Sequence, residues 1–242
     1  MSGRAASVAA KTAATLAGAF AALLAASAAS LAQDLAISGL EHYTDNRGWN
    51  EAGLGPTYQI VVNATVTPSG LPTLVYVEQG GERHPLTHFA QPSSPDLYSY
   101  WRRFDPAFTG SWRIVAERGD ARAAPASTAA LANPQQLPYV RNVRVAGNGT
   151  TPRLSWQLPN LAGFDVERIR VAVRGGTRVQ GRFLSVLHVS GDLPPTATSH
   201  SIPAGVLTPG ERYVFQVMLD DLEGGKLENR SSGFSEPYIL PR

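Results

Sequence analysis

Leu207-Thr208-Pro209-Gly210-Glu211-Arg212-Tyr213 runs directly into Val214-Phe215-Gln216-Val217-Met218-Leu219-Asp220-Asp221. The Pro-Gly pair turns the chain, and Phe215, Val217 and Leu219 then recur at every second position, the period of a half-buried strand. Working outward, the same period returns on both sides. Upstream, Leu154, Trp156 and Leu158 alternate around Ser155 and Gln157 until Pro159 ends the run. Phe164–Arg174 reads as a long strand with Ile169, Val171 and Val173 on one face, and Phe183–Val189 as another, broken by Gly191 and Pro194-Pro195. Val140–Val145 opens this half. Downstream, Gly224-Gly225 makes a turn and Ser231–Leu240 returns as the last strand. Short strands separated by turn residues predict an all-β sandwich rather than a helical or α/β fold.

The order of these features resembles a fibronectin type III domain over residues 138–242. Leu154-Ser155-Trp156 running into Pro159 matches the family's strand B, and Phe164–Arg174 its strand C. Leu207–Tyr213 matches the Leu-x-Pro-Gly-x-x-Tyr corner, and Ser231-Ser232-Gly233-Phe234-Ser235 the serine-containing strand G. Phe164 stands where the family has tyrosine, and the stretch between strands C and E is unusually long. The resemblance implies structural roles for three residues. Trp156 fills the centre between two sheets, Leu207 packs at the corner, and the Tyr213 hydroxyl bonds backbone upstream to lock it. The family's integrin-binding role is not implied, because the chain has no Arg-Gly-Asp tripeptide.

Residues 33–120 show the same style without so specific a signature. Tyr58, Ile60, Val62, Ala64 and Val66 alternate with Gln59, Val61, Asn63, Thr65 and Thr67, ending at Pro68-Ser69-Gly70. Leu35–Leu40, Leu74–Val77, Arg83–Phe89, Leu97–Phe104 and Ser111–Glu117 read as further strands, with Gln79-Gly80-Gly81-Glu82 as a hairpin turn. This half is expected to be generically immunoglobulin-like. Between the halves, residues 121–137 are rich in Ala and Pro, with Arg122 the one charge. They are expected to be an edge strand or a linker, giving two tandem β-sandwiches arranged as beads on a string.

Composition narrows the setting. The 242 residues include no cysteine, which excludes disulfides, thiolate metal sites and cysteine nucleophiles. Residues 1–32 carry Arg4, Lys11 and no acid, continue as an Ala-rich apolar run from Ala13 to Ala29, and end in Ser30-Leu31-Ala32. That is the pattern of an export signal cleaved before Gln33, with Ala26-Ser27-Ala28 as a competing site. Left uncleaved, it would be a membrane anchor, though alanine partitions poorly into lipid. Arg4 and Lys11 account for the whole formal charge of +2. Without them the remaining basic residues equal the 19 acidic ones, which removes the charge-based case for nucleic acid. The alanine-rich style resembles that of a high-GC bacterium, so the expected location is periplasmic or extracellular, including the cell surface.

No constellation in the sequence calls for catalysis or a cofactor. Ser199-His200-Ser201 are neighbours on one strand, pointing in opposite directions. His84 and His88 would share a strand face about 13 Å apart, too far for one metal ion. Asp220, Asp221 and Glu223 are expected in a solvated turn, and Glu167, Arg168, Arg170, Arg174 and Arg178 on a solvated basic face. The candidate ligand-binding residues are Tyr98, Tyr100 and Trp101, with Trp49 in a loop. On a strand, Tyr98 and Tyr100 share one face and Trp101 the other, so one set packs inward and the other is left to meet a ligand. The expectation is therefore a non-enzymatic interaction or adhesion module that presents loops or strand edges to a protein or glycan partner. The alternative is a carbohydrate-binding or accessory component of a secreted hydrolase system.

Overall fold

The computed structural model describes residues 34–48, 56–69, 73–89, 95–147, 149–179 and 182–241. The expected export signal and Trp49 lie outside them. Among the described residues there is no α-helix, only a 3-10 turn at Pro106–Phe108. None of their helices is long and apolar enough to cross a membrane.

The strands of the first half are β1 (Ala36–Gly48), β2 (Thr57–Thr67), β3 (Leu74–Gln79), β4 (Glu82–Pro85), β5 (Thr87–Phe89), β6 (Asp96–Arg103), β7 (Arg113–Arg118), β8 (Ala121–Arg122) and β9 (Ala126–Ser127). The second half has β10 (Arg141–Ala146), β11 (Arg153–Gln157), β12 (Arg168–Val179), β13 (Arg182–Val189), β14 (Ser199–Ser201), β15 (Arg212–Glu223), β16 (Lys226–Phe234) and β17 (Tyr238–Ile239). Two differences from the sequence reading have local causes. Phe164 lies in a turn, its N–H bonded to Leu161, so strand C starts at Arg168. Arg83–Phe89 is two strands, because the chain crosses between sheets after Pro85: β4 pairs with β3, and β5 with β6.

The fold is all-β, with two sandwich cores. In the second half a three-stranded sheet, β10-β11-β14, faces β13-β12-β15-β16 across a core that includes Trp156, Ile169, Val171, Phe215, Val217 and Leu219. Trp156 Nε1 donates to Ala197 O at 2.8 Å. The Tyr213 hydroxyl accepts from Thr208 N–H at 2.7 Å and donates to Thr208 O at 3.3 Å. Leu207 is buried beside them. In the first half the five-stranded sheet, ordered β4-β3-β7-β8 with β9 beside β7, faces β1, β2, β6 and β5. Its core includes Val62, Val77, Tyr98, Trp112 and Ile114.

The halves are not beads on a string. Strand β1 pairs in parallel with β16, from Thr44 opposite Asn229 to Gly48 opposite Gly233. This joins the larger sheet of each half into one nine-stranded sheet, β13-β12-β15-β16-β1-β2-β6-β5 with β17 beside β15. Residues 35–242 form a single compact unit. The Ala/Pro-rich segment begins as edge strands on β7 and then lies along the new junction, held there by polar side chains. Asn229 Oδ1 accepts from Thr44 Oγ1 at 2.8 Å and Gln135 N–H at 2.7 Å. Its Nδ2 donates to Asn133 O at 3.0 Å and Asp221 Oδ2 at 2.7 Å, so all four of its bonds are made. Asn46 Nδ2 donates to Leu137 O at 2.7 Å, and Ser231 Oγ to Pro138 O at 2.9 Å. His42 Nδ1 lies 3.0 Å from Ala129 O; a carbonyl only accepts, so this nitrogen carries the proton. Approach here is close enough to require glycine, since a Cβ on Gly48 would enter the Tyr139 ring and one on Gly233 would meet the Val140 carbonyl.

Candidate ligand-binding cleft

Strand alternation gives the nine-stranded sheet two faces. One carries the two sandwich cores. The other is concave: twist accumulates across so many strands, and the outermost pair, β5 and β13, return to within 8 Å of each other between Cα atoms. A cleft of about 380 Å³ lies on this inner face. Glu41, Tyr43 and Arg47 line it from β1, Val61, Asn63 and Thr65 from β2, and Leu97, Ser99 and Trp101 from β6. Opposite, β12 supplies Arg170, Ala172 and Arg174, β15 supplies Met218, and β16 supplies Arg230. Phe89 and Val186 come from the edge strands.

A network of charges underlies the cleft. Asp220, fully buried on β15, is shared by three guanidinium groups. Arg230 grips it with Nε at 2.7 Å and Nη2 at 3.2 Å, Arg170 with Nε at 2.9 Å, and Arg168 with Nε at 3.1 Å. Burial by itself would raise the Asp220 pKa. The charge and hydrogen bonds of Arg230, joined by Arg170 and Arg168, outweigh it and hold the carboxyl at about 2, below its ordinary 3.8. The Arg230 guanidinium also sits 4.8 Å from the centre of the Tyr43 ring. Arg47 Nε bonds Asp45 Oδ2, whose partner oxygen accepts from Ser232 Oγ at 3.1 Å.

Arg174 is different. Its Nε donates to the neutral Gln216 Oε1, and among the described residues no carboxylate lies within ion-pair distance of it. Burial, followed by repulsion from Arg47, lowers its pKa to about 10, which still leaves it charged at neutral pH. Among the described residues, four arginines line the cleft with one acid, Glu41, and Asp45 and Asp220 stand behind them. The face is therefore cationic in excess.

Apolar surface adjoins these charges. Trp101 packs against Phe89 in a T-shaped contact with centroids 5.9 Å apart, and borders the small cluster of Tyr43, Val61 and Leu227. The arrangement suits ligand binding, with an aromatic wall for an apolar face and guanidinium groups for hydrogen-bonding oxygens.

The sequence-derived candidates divide across the two faces of β6. Tyr98 is 4% exposed and packs in the first-half core. Tyr100 is half-buried, with ring centroids 5.2 Å from His84 and 5.7 Å from Trp112. Trp101 is on the cleft side. His84 and His88 lie on strands of opposite sheets. Among the described residues no group of three or more His, Asp or Glu is placed to hold a metal ion. The expected solvated turn at Asp220 and the expected solvated face at Arg168, Arg170 and Arg174 are both corrected, because these groups meet beneath the cleft. Their spacing was visible: 168, 170 and 174 fall on one strand face and Asp220 on the paired strand, opposite Arg168. The sequence carried no sign that a second half would roll over that face. Asp45 and Arg47 were missed for another reason. Residues 42–47 are mostly polar and lack alternation, yet they form a buried strand that is polar on both sides.

No protein-family model and no curated protein matches the chain. Among solved structures, the FN1-FN3 domains of chicken CNTN1 match at 13% identity with a TM-score of 0.33, over 86% of this chain and 65% of that one.

Proposed function

We propose that this protein is an exported, non-enzymatic binding module and that its ligand, a glycan, enters the cleft on the concave face. One observation carries the reading: Trp101 and Phe89 adjoin four arginines in a single cleft of about 380 Å³. Pockets of about 300–1,000 Å³ suit small ligands, and this one is near the lower bound, the scale of a mono- or disaccharide. A sugar ring presents an apolar face to an aromatic side chain and a rim of hydroxyls to guanidinium donors. This replaces the expected recognition by loops or strand edges with recognition on the sheet face, and retains Trp101 from the original candidates. Export rests on residues 1–32, and a periplasmic or extracellular location follows from it.

A glycan array probed with residues 33–242 tests the reading. Retention of at least one glycan, weakened roughly tenfold or more by Trp101→Ala, is expected; a tenfold loss corresponds to about 1.4 kcal/mol. Retention of no glycan by the parent protein overturns it.

A further inference from the structure

We propose that the sugar bound in this cleft is acidic, with its carboxylate taken by Arg174 while its ring lies in the part of the cleft walled by Trp101. The proposal rests on the reading of the cleft as a glycan site and specifies the ligand's chemistry.

The argument is one of charge. A guanidinium placed away from water is normally matched by a carboxylate, because desolvation of an unpaired cation is costly. Arg47 has Asp45, while Arg230 and Arg170 share Asp220 with Arg168. Arg174 has no carboxylate within ion-pair distance among the described residues; Arg47 repels it, and the weaker attraction of Asp45 offsets only part of that. Gln216, which accepts from Arg174, is itself anchored by donating to Ser232 Oγ at 2.8 Å, so it orients the guanidinium without neutralising it. A ligand carboxylate would supply the missing charge through the two-pronged geometry that guanidinium and carboxylate share. The size of the excess favours a single negative charge over a phosphate dianion, since Glu41 also faces the cleft and repels added anionic charge. Glu41 accepts from Asn63 Nδ2 at 2.8 Å, which holds it at the β1–β2 side.

The test compares sugars that differ only in the acid group. Galacturonate, glucuronate and N-acetylneuraminate disaccharides are titrated calorimetrically against the protein beside their methyl esters. At least one acid is expected to bind ten-fold or more tightly than its ester, with the preference shrinking as salt rises. Arg174→Gln is expected to remove that preference while the weaker ester binding persists. Its thermal midpoint should hold or rise, because a partly buried charge without a carboxylate partner is removed; a merely structural arginine would lower it. Equal binding of acids and esters overturns the acidic-sugar proposal and leaves the glycan reading standing. Binding of no sugar, acid or neutral, overturns both. An acid preference that survives Arg174→Gln in a folded protein overturns the role of Arg174.

Discussion

Asp220 concentrates most of the charge logic of the concave face in one side chain. Three arginines converge on it, and it is wholly buried, so a neutral replacement leaves buried cations without a counter-charge. Asp220→Asn is expected to lower stability by about 3 kcal/mol or more, read from urea unfolding. The pH dependence follows from the direction of its shift. A carboxyl held at about 2 when folded and 3.8 when unfolded contributes fully above pH 3.8 and loses that contribution as pH falls toward 2. The loss is on the order of 2 kcal/mol. Unfolding measured from pH 6 down to about pH 2 should show this decline in the parent and a shallower one in Asp220→Asn.

At the scale of elements, the parallel pairing of β1 with β16 is the feature that periodicity did not announce. Val62 and Val66 on β2, or Val171 and Val173 on β12, alternate with residues of the opposite face and are legible as strand from sequence alone. The second half of β1 is not, because His42, Thr44 and Asn46 meet the crossing segment while Tyr43, Asp45 and Arg47 face the cleft. Burial on both sides by polar partners erases the hydrophobic alternation. The Ala/Pro-rich composition of residues 121–137 left an edge strand and a linker both open for a similar reason, since its backbone supplies the partners and its side chains say little. Asn229→Ala should test this element. It leaves the Gln135 N–H, the Asn133 carbonyl and the Asp221 carboxylate each short of a partner, and a loss of about 2 kcal/mol or more is expected. Hydrogen exchange should rise across residues 129–138. Unchanged protection there would mean that the segment is held by other contacts.

For the whole molecule, sharing one sheet makes the two sandwich cores thermodynamically dependent. Loss of either half would expose a long edge of β1 or β16 and strip the partners from the crossing segment. Calorimetry of residues 33–242 should therefore give one cooperative transition, with calorimetric and van't Hoff enthalpies equal. Two separable transitions would show that the halves fold independently despite the shared sheet.

The sequence by itself determined the β character, the Gly80-Gly81 and Gly224-Gly225 turns, the Trp156 core and the Tyr213 corner. These depend on period and on residues within one half, which local patterning encodes. Tertiary structure alone decided that β1 would join β16, that the joined sheet would roll until β5 approached β13, and that Trp101 would share a cleft with Arg174. Tyr98 and Trp101 sit on opposite faces of β6 by alternation, but only the partner on each side settles which one is core. The residues of the cleft come from positions 39 to 230, and a one-dimensional pattern holds no record of which distant faces meet. Burying paired charges leaves no hydrophobic period either, so the groups beneath the cleft looked like solvated surface until the fold enclosed them.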